Sequence, residues 1–111
     1  MNYNLVALAT FSIKLKKLAK KYKKIKIDLQ DLKKELSLNP KSGIPLQYNC
    51  YKIRVSNSSI STGKSGGFRV VYYFIDKSNN IFLMTIYSKT QKENLSETEL
   101  LELLKINGLD K

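Results

Sequence analysis

The chain has 111 residues, of which 42% are hydrophobic and 26% charged, so a single domain with one modest core is expected and a disordered chain is excluded. Twenty Lys or Arg against nine Asp or Glu give a net charge of +11, a field that draws polyanions. With no His and one cysteine, Cys50, the chain cannot carry a Ser-His-Asp or Cys-His dyad or triad, a His-ligated or Cys-cluster metal site, or an internal disulfide.

Residues 3–9 (YNLVALA) predict a short, fairly buried strand. This apolar run is too short to span a membrane and lacks a basic leader, so a cytoplasmic protein is the expectation. Thr10 or Ser12 is a candidate helix cap. Phe11, Leu15, Leu18, Tyr22 and Ile25 then recur at steps of four and three, the apolar stripe of a helix. The opposite face is almost all Lys (Lys14, Lys16, Lys17, Lys20, Lys21, Lys23, Lys24, Lys26), which repels itself at i,i+3 and i,i+4. Asp28 is expected to open a second helix with Leu29, Leu32 and Leu36 inward, stopped before Asn39-Pro40. Residues 11–37 thus read as a helical hairpin, and residues 41–45 as loop.

Three strands are predicted next. In 48–55, Tyr51, Ile53 and Val55 point one way and Lys52 and Arg54 the other. Residues 56–67 form a polar, Gly-rich loop. Residues 68–75 (FRVVYYFI) are apolar on both faces and read as a central strand. Residues 76–80 suit a hairpin turn, and 81–88 (IFLMTIYS) its partner strand. Tyr48, Tyr51, Tyr72 and Tyr73 are expected to pack in the core and sheet. Ser96-Glu97-Thr98-Glu99 is a capping box for a last helix ending near Ile106, with Gly108 as its stop. The order β-α-α-β-β-β-α describes an α+β domain over residues 1–111, a mainly antiparallel sheet covered by helices.

The positive charge has two sources. Residues 1–35 hold ten Lys and three acids, whereas residues 36–75 hold Lys41, Lys52, Arg54, Lys64 and Arg69 and no acid. Solvated faces mix signs, and this stretch does not. Lys52 and Arg54 share a sheet face, Arg69 starts the next strand, and Tyr87 and Lys89 end the last. If the strands are neighbours, these five meet at one end of the sheet. Such a cluster suits a phosphodiester. Arg can clamp the phosphorane oxygens, while Lys and Tyr can move protons or stack on a base. A solvated, edge-protecting strand face is the alternative. Gly63-Lys64-Ser65-Gly66-Gly67 is not a Walker loop, since no Gly stands five residues earlier and a strand follows. Its candidate role is to hold RNA phosphate through backbone N–H groups, Lys64 and Ser65. Lys17 and Lys21 on the helix are further candidate RNA contacts. Cys50 reads as a packing residue.

Five segments in order resemble the RelE/ParE toxin superfamily, more closely its HigB-like branch. They are Phe11–Ile27, Tyr51-Lys52-Ile53-Arg54, the Gly63–Tyr73 block (GKSGGFRVVYY), Ile86-Tyr87-Ser88-Lys89-Thr90, and Glu93-Asn94-Leu95-Ser96. The resemblance implies a bacterial type II toxin of RelE-like fold. It further implies a metal- and cofactor-independent endoribonuclease that enters the ribosomal A site and cuts messenger RNA by attack of the 2′-hydroxyl. The implied partner is a cognate HigA-like antitoxin with a helix-turn-helix region, through which alone the pair meets operator DNA. By position, Lys52 and Arg54 fall on the family's basic pair, Arg69 on the Arg that contacts the scissile phosphate, and Lys89 on a basic residue ending the last strand. RelE has Arg at that last place and a later Tyr where this chain has Leu95; Tyr87 is the aromatic nearest to hand. The catalytic His of some HigB members has no counterpart. The ParE branch, with this fold, inhibits gyrase instead. A basic RNA- or ribosome-binding module without cleavage is the third reading.

Overall fold

The computed structural model describes residues 3–60, 66–91 and 94–110. The elements are β1 (Asn4–Ala7), α1 (Ala9–Lys21), α2 (Ile25–Leu38), β2 (Ile44–Pro45), β3 (Cys50–Val55), β4 (Phe68–Tyr73), β5 (Asn80–Ser88) and α3 (Glu97–Ile106). They form one five-stranded sheet in the order β1-β5-β4-β3-β2. Three strand pairs are antiparallel, and β1 runs parallel to β5 at the edge. The expected α+β architecture is present, with one strand more than the sequence suggested.

Two clusters of apolar side chains sandwich the sheet. On one face Ile53, Val55, Phe68, Val70, Tyr72, Leu83 and Ile86 pack under the helical hairpin, through Phe11, Leu18, Tyr22, Ile25, Leu32 and Leu36. On the other, Cys50, Val71, Met84 and Tyr87 pack under Leu100 and Leu104 of α3. The helical stripe read from Phe11 to Ile25 is therefore the buried face of the hairpin. Its compensation for the Lys-rich outer face is apolar burial, on the order of 1.5–3 kcal/mol for each large side chain.

Neither Thr10 nor Ser12 caps α1. Its N-cap is Leu8, which makes no side-chain cap bond. Thr10 lies inside the first turn, where its hydroxyl donates to the Met84 carbonyl at 2.6 Å. A carbonyl at a strand edge needs a donor, and this one outcompetes local capping. The helix α2 begins at Ile25 rather than at Asp28. Asp28 sits in its first turn, only 3% exposed, and its two carboxylate oxygens accept from the Ser58 N–H at 3.2 and 3.1 Å. The site suits an anion, since the N-terminus of a helix carries partial positive charge.

The segment 41–45, read as loop, contains β2. Tyr72 explains it. Its buried hydroxyl donates to the Pro40 carbonyl at 2.8 Å and accepts from the Gly43 N–H at 3.1 Å. That tie lays Ile44-Pro45 against Lys52 and Tyr51. A contact this distant in sequence leaves no local signal. The strand predicted from residue 48 starts at Cys50, because Tyr48 and Asn49 both take φ of 62°, a left-handed turn. Tyr48 is thus not a core residue. It is exposed, and its hydroxyl donates to Glu97 Oε2 at 2.8 Å. Tyr72 is fully buried, Tyr51 stacks on it at 5.2 Å, and Tyr73 is half-buried against Phe82. The capping box is formed as read: Ser96 Oγ accepts from Glu99 N–H at 3.1 Å, and Glu99 Oε1 from Ser96 N–H at 3.0 Å. Gly108 adopts φ of +69° just past α3.

Candidate nucleic-acid site

Strand register places the candidate residues. Arg69 on the central strand β4 lies opposite Arg54 of β3 on one side and opposite Tyr87 of β5 on the other. Lys52 lies two residues before Arg54, opposite Val71. Alternation therefore puts Lys52, Arg54, Arg69 and Tyr87 on the face that carries α3. Four of the five predicted residues share a face. Lys89 lies just beyond β5, exposed in a turn, its N–H donating to the Gly67 carbonyl at 3.1 Å.

Tyr87 reaches that face only because β5 is irregular. Val71 pairs with Thr85 and Tyr72 with Leu83, so Met84 is an extra residue. A one-residue bulge shifts the alternation downstream of it. Leu83 points to the helical hairpin, and strict alternation would send Tyr87 there too. With Met84 inserted, Tyr87 joins Val71, Cys50 and Arg69 instead.

Half of the row is buried, for Lys52 is half-buried and Arg54 exposed. Arg69 is 4% and Tyr87 7% exposed. Burial and the nearby Arg54 charge both lower the pKa of Arg69, and a guanidinium starts so high that it stays charged. Its Nη1 donates to the Phe68 carbonyl at 3.2 Å. Burial pushes the Tyr87 phenol up, Arg69 pulls it back, and Glu99 adds a further push; the net is upward. Tyr87 is therefore a neutral phenol near pH 7, a hydrogen-bond donor and not a base. Its hydroxyl is buried without a hydrogen-bond partner. Lys52 Nζ donates to Asn94 Oδ1 at 2.9 Å, which draws the segment before α3 across to β3. Asn94 carried no signal in sequence beyond its place in the last quoted segment.

The Gly-rich loop is fixed at its base. A Cβ on Gly67 would stand 2.1 Å from the Val55 carbonyl oxygen, so only glycine fits. Asp28 holds the opposite stem through Ser58. Asn57, fully buried, accepts from the Ser59 N–H at 3.0 Å. Sequence gave no reason to join Asp28, on a helix, to this loop. Lys64 and Ser65 lie outside the described residues.

The acid-free sequence does not make an acid-free surface. Asp28, Asp31 and Glu35 of α2 line a cleft of about 190 Å³ together with Arg54. Glu99 lies close enough to Tyr87 to affect its titration. The two helix lysines are placed differently. Lys21 projects over the Tyr22 ring at 5.4 Å from its centroid, and Lys17 lines a groove beside Tyr87. Tyr22 was read only as a core residue. Burial raises its phenol, but hydrogen bonds from Thr90, Lys21 and Ser88 outweigh that and lower it.

Among the described residues no group of three or more His, Cys, Asp or Glu is placed to hold a metal ion, and no helix is long and apolar enough to cross a membrane. No protein-family model matches the chain. A solved structure of the E. coli toxin RelE, an arginine double mutant in the free state, superposes with a TM-score of 0.57 at 23% identity, over 84% of this chain and 90% of that one. The chain therefore has a RelE-like fold.

Proposed function

We propose that this protein is the toxin of a toxin–antitoxin pair and that it acts as a messenger-RNA endoribonuclease on the ribosome. The observation that carries the proposal is the row Arg54–Arg69–Tyr87 on a RelE-like sheet, with Lys52 beside it. Two guanidiniums on adjacent strands suit the two non-bridging oxygens of a phosphodiester. In the proposed step, the 2′-hydroxyl oxygen bonds to phosphorus while its proton passes to the unprotonated amine form of Lys52 or Lys89, which becomes the ammonium. Arg69 and Arg54 neutralise the phosphorane, and the bond to the 5′-oxygen breaks. The neutral Tyr87 phenol donates the proton that this oxygen needs. The products are a 2′,3′-cyclic phosphate and a 5′-hydroxyl. Buried Arg69 meets a phosphate only when the chain covering this face parts, so substrate binding includes an opening step.

The Lys face of α1 would supply a non-specific attraction to RNA, the ribosomal A site the proposed place of action and the cytoplasm the compartment. The proposed protein partner is an antitoxin of the HigA kind. Induced expression followed by mapping of message 5′ ends tests the activity. Cuts within translated codons, absent with Arg69→Ala, are expected. Intact message with growth arrest would remove the endonuclease, and inhibition of purified gyrase would replace it with the ParE-like activity.

A further inference from the structure

The end of α3 is closed by paired backbone bonds. The Gly108 N–H donates to the Lys105 carbonyl at 3.1 Å, and the Leu109 N–H to the Leu104 carbonyl at 2.8 Å. With Gly108 at φ of +69°, this is a Schellman cap, and Leu109 packs on the cluster that holds Leu104. Asn107 stands at the C-cap, half-buried. Its amide nitrogen donates to the Leu103 carbonyl at 2.9 Å and to Thr10 Oγ1 at 3.1 Å. Thr10 in turn donates to the Met84 carbonyl. One chain of hydrogen bonds thus joins the end of α3, the first turn of α1 and the bulge in β5. A hydroxyl has a single proton, so Thr10 can give it to Met84 only while its other partner is a donor.

The cap is built from a reactive pair. Gly108 supplies the left-handed backbone, and Asn107 supplies the donor. Asn followed by Gly is also the pair in which the next backbone nitrogen is least shielded from the side-chain amide, because glycine has no side chain. The chain contains this dipeptide once. Three features hold the reaction back. The Asn107 ψ of 5° makes the Gly108 nitrogen eclipse the Asn107 nitrogen, whereas ring closure needs it over Cβ. The Gly108 proton is engaged by Lys105. The amide that would leave is held by two acceptors.

We propose that Asn107 is a deamidation site latched by the α3 cap, and that its conversion cuts the tie between α3 and the β5 bulge. When the cap opens, the Gly108 nitrogen gives up its proton to solvent and bonds to Asn107 Cγ. The Cγ–Nδ2 bond breaks, and the nitrogen takes a proton from solvent and leaves as ammonia. Water then adds to the five-membered imide and reopens it, giving aspartate through one carbonyl and isoaspartate through the other. Either product puts a carboxylate, which only accepts, where the amide donated. That carboxylate faces the Leu103 carbonyl and the negative end of α3. It also competes with Met84 for the Thr10 proton. The change runs one way, so the converted fraction records how long the cap has stood open. Neither Arg54 nor Arg69 takes part, and the outcome is independent of RNA cleavage.

The test ages the whole protein near neutral pH and follows Asn107 by peptide mapping, which reads the exchange of an amide for a carboxylate. Conversion should run at least about tenfold more slowly in the folded protein than in guanidinium chloride, the protection that a pair of cap bonds confers. Thr10→Val removes one acceptor from Asn107 and should speed conversion of the folded protein about two- to fivefold. In the aged parent, the Gly108 and Leu109 amides should exchange at least about tenfold faster, and the Met84 carbonyl carbon resonance should move as it does in Thr10→Val. Asn107→Asp should reproduce both changes. Asn107→Ala loses the donor without adding an acceptor, so it should leave the Met84 resonance in place. Equal conversion rates with and without denaturant, no conversion in denaturant, or an aged protein with an unmoved Met84 resonance would overturn the proposal.

Discussion

Arg69 stands directly across the β3–β4 ladder from Arg54. Like charges in facing positions cost a sheet about 0.2–1 kcal/mol, more when one of them is buried as Arg69 is. The pair is a standing repulsion that an anion placed between the guanidiniums would relieve. Arg54→Gln should therefore raise stability by about 0.5 kcal/mol while weakening RNA binding. Urea denaturation and RNA titration at one ionic strength check the two opposed signs. A loss in both would mean that Arg54 is held by a partner in the fold.

Arg69→Ala should cut message cleavage by about 100-fold or more, the usual loss when a preorganised donor to a developing anion is removed. Lys52→Ala should reduce it less and should loosen the segment that Asn94 tethers. Primer extension on a defined message, with circular dichroism to verify the fold, measures both. Parent-like cleavage by both variants would clear this row of any role.

Tyr87→Phe separates folding from function. It removes a buried hydroxyl that has no hydrogen-bond partner. Leaving such a group buried costs about 1–3 kcal/mol, so the variant should gain about 1 kcal/mol and melt a few degrees higher. Its cleavage rate should fall about 100-fold if the phenol protonates the leaving oxygen. Calorimetry and single-turnover kinetics on one preparation decide it.

Asp28→Ala should destabilise the domain by about 1–3 kcal/mol, because the Ser58 N–H loses both of its carboxylate acceptors. Asp28→Asn keeps one acceptor oxygen and should lose less. Gly67→Ala should cost at least about 2 kcal/mol, since its Cβ would meet the Val55 carbonyl with no flexible side chain to give way. Chemical denaturation of the three variants ranks them.

Burial raises the Cys50 thiol from its ordinary 9.0 to about 12. Below pH 9 the thiol is protonated whether the chain is folded or not, and it contributes its full stability. Between pH 9 and 12 only the unfolded thiol ionises, so stability falls as pH rises through that window. Tyr72, raised by burial from 10.0 to about 12, adds the same sign from pH 10 upward. Urea midpoints at pH 8, 9 and 10 should drop for the parent and stay flatter for Cys50→Ala.

Sequence periodicity alone located the hairpin stripe, the central strand and the α3 cap, because each rests on contacts within a turn or on strict alternation. It missed β2, whose cause is the Tyr72 hydroxyl reaching Pro40 and Gly43. It took Asp28 for a helix start when that carboxylate's main task is a loop thirty residues away. Lys52, Arg54 and Arg69 were legible as a set from alternation and charge. That Arg69 is covered was not, since burial is a property of packing and not of a strand's alternation. The acids of α2 beside Arg54 were equally invisible in a count along the chain.

Met84 has a consequence that reaches past this molecule. The phase of β5 beyond it is set by a residue count and not by any side chain. A β5 of the same length whose ladder closed without the bulge would keep Leu83 opposite Tyr72 and bring Tyr87 opposite Phe68. Tyr87 would then turn toward Tyr22 and Phe68, with Arg69 left where it is. Removing one residue at the bulge would instead close the ladder with Tyr87 still opposite Arg69. In comparing chains of this kind, a one-residue gap that removes the bulge keeps the site, whereas a bulge lost at full length dismantles it.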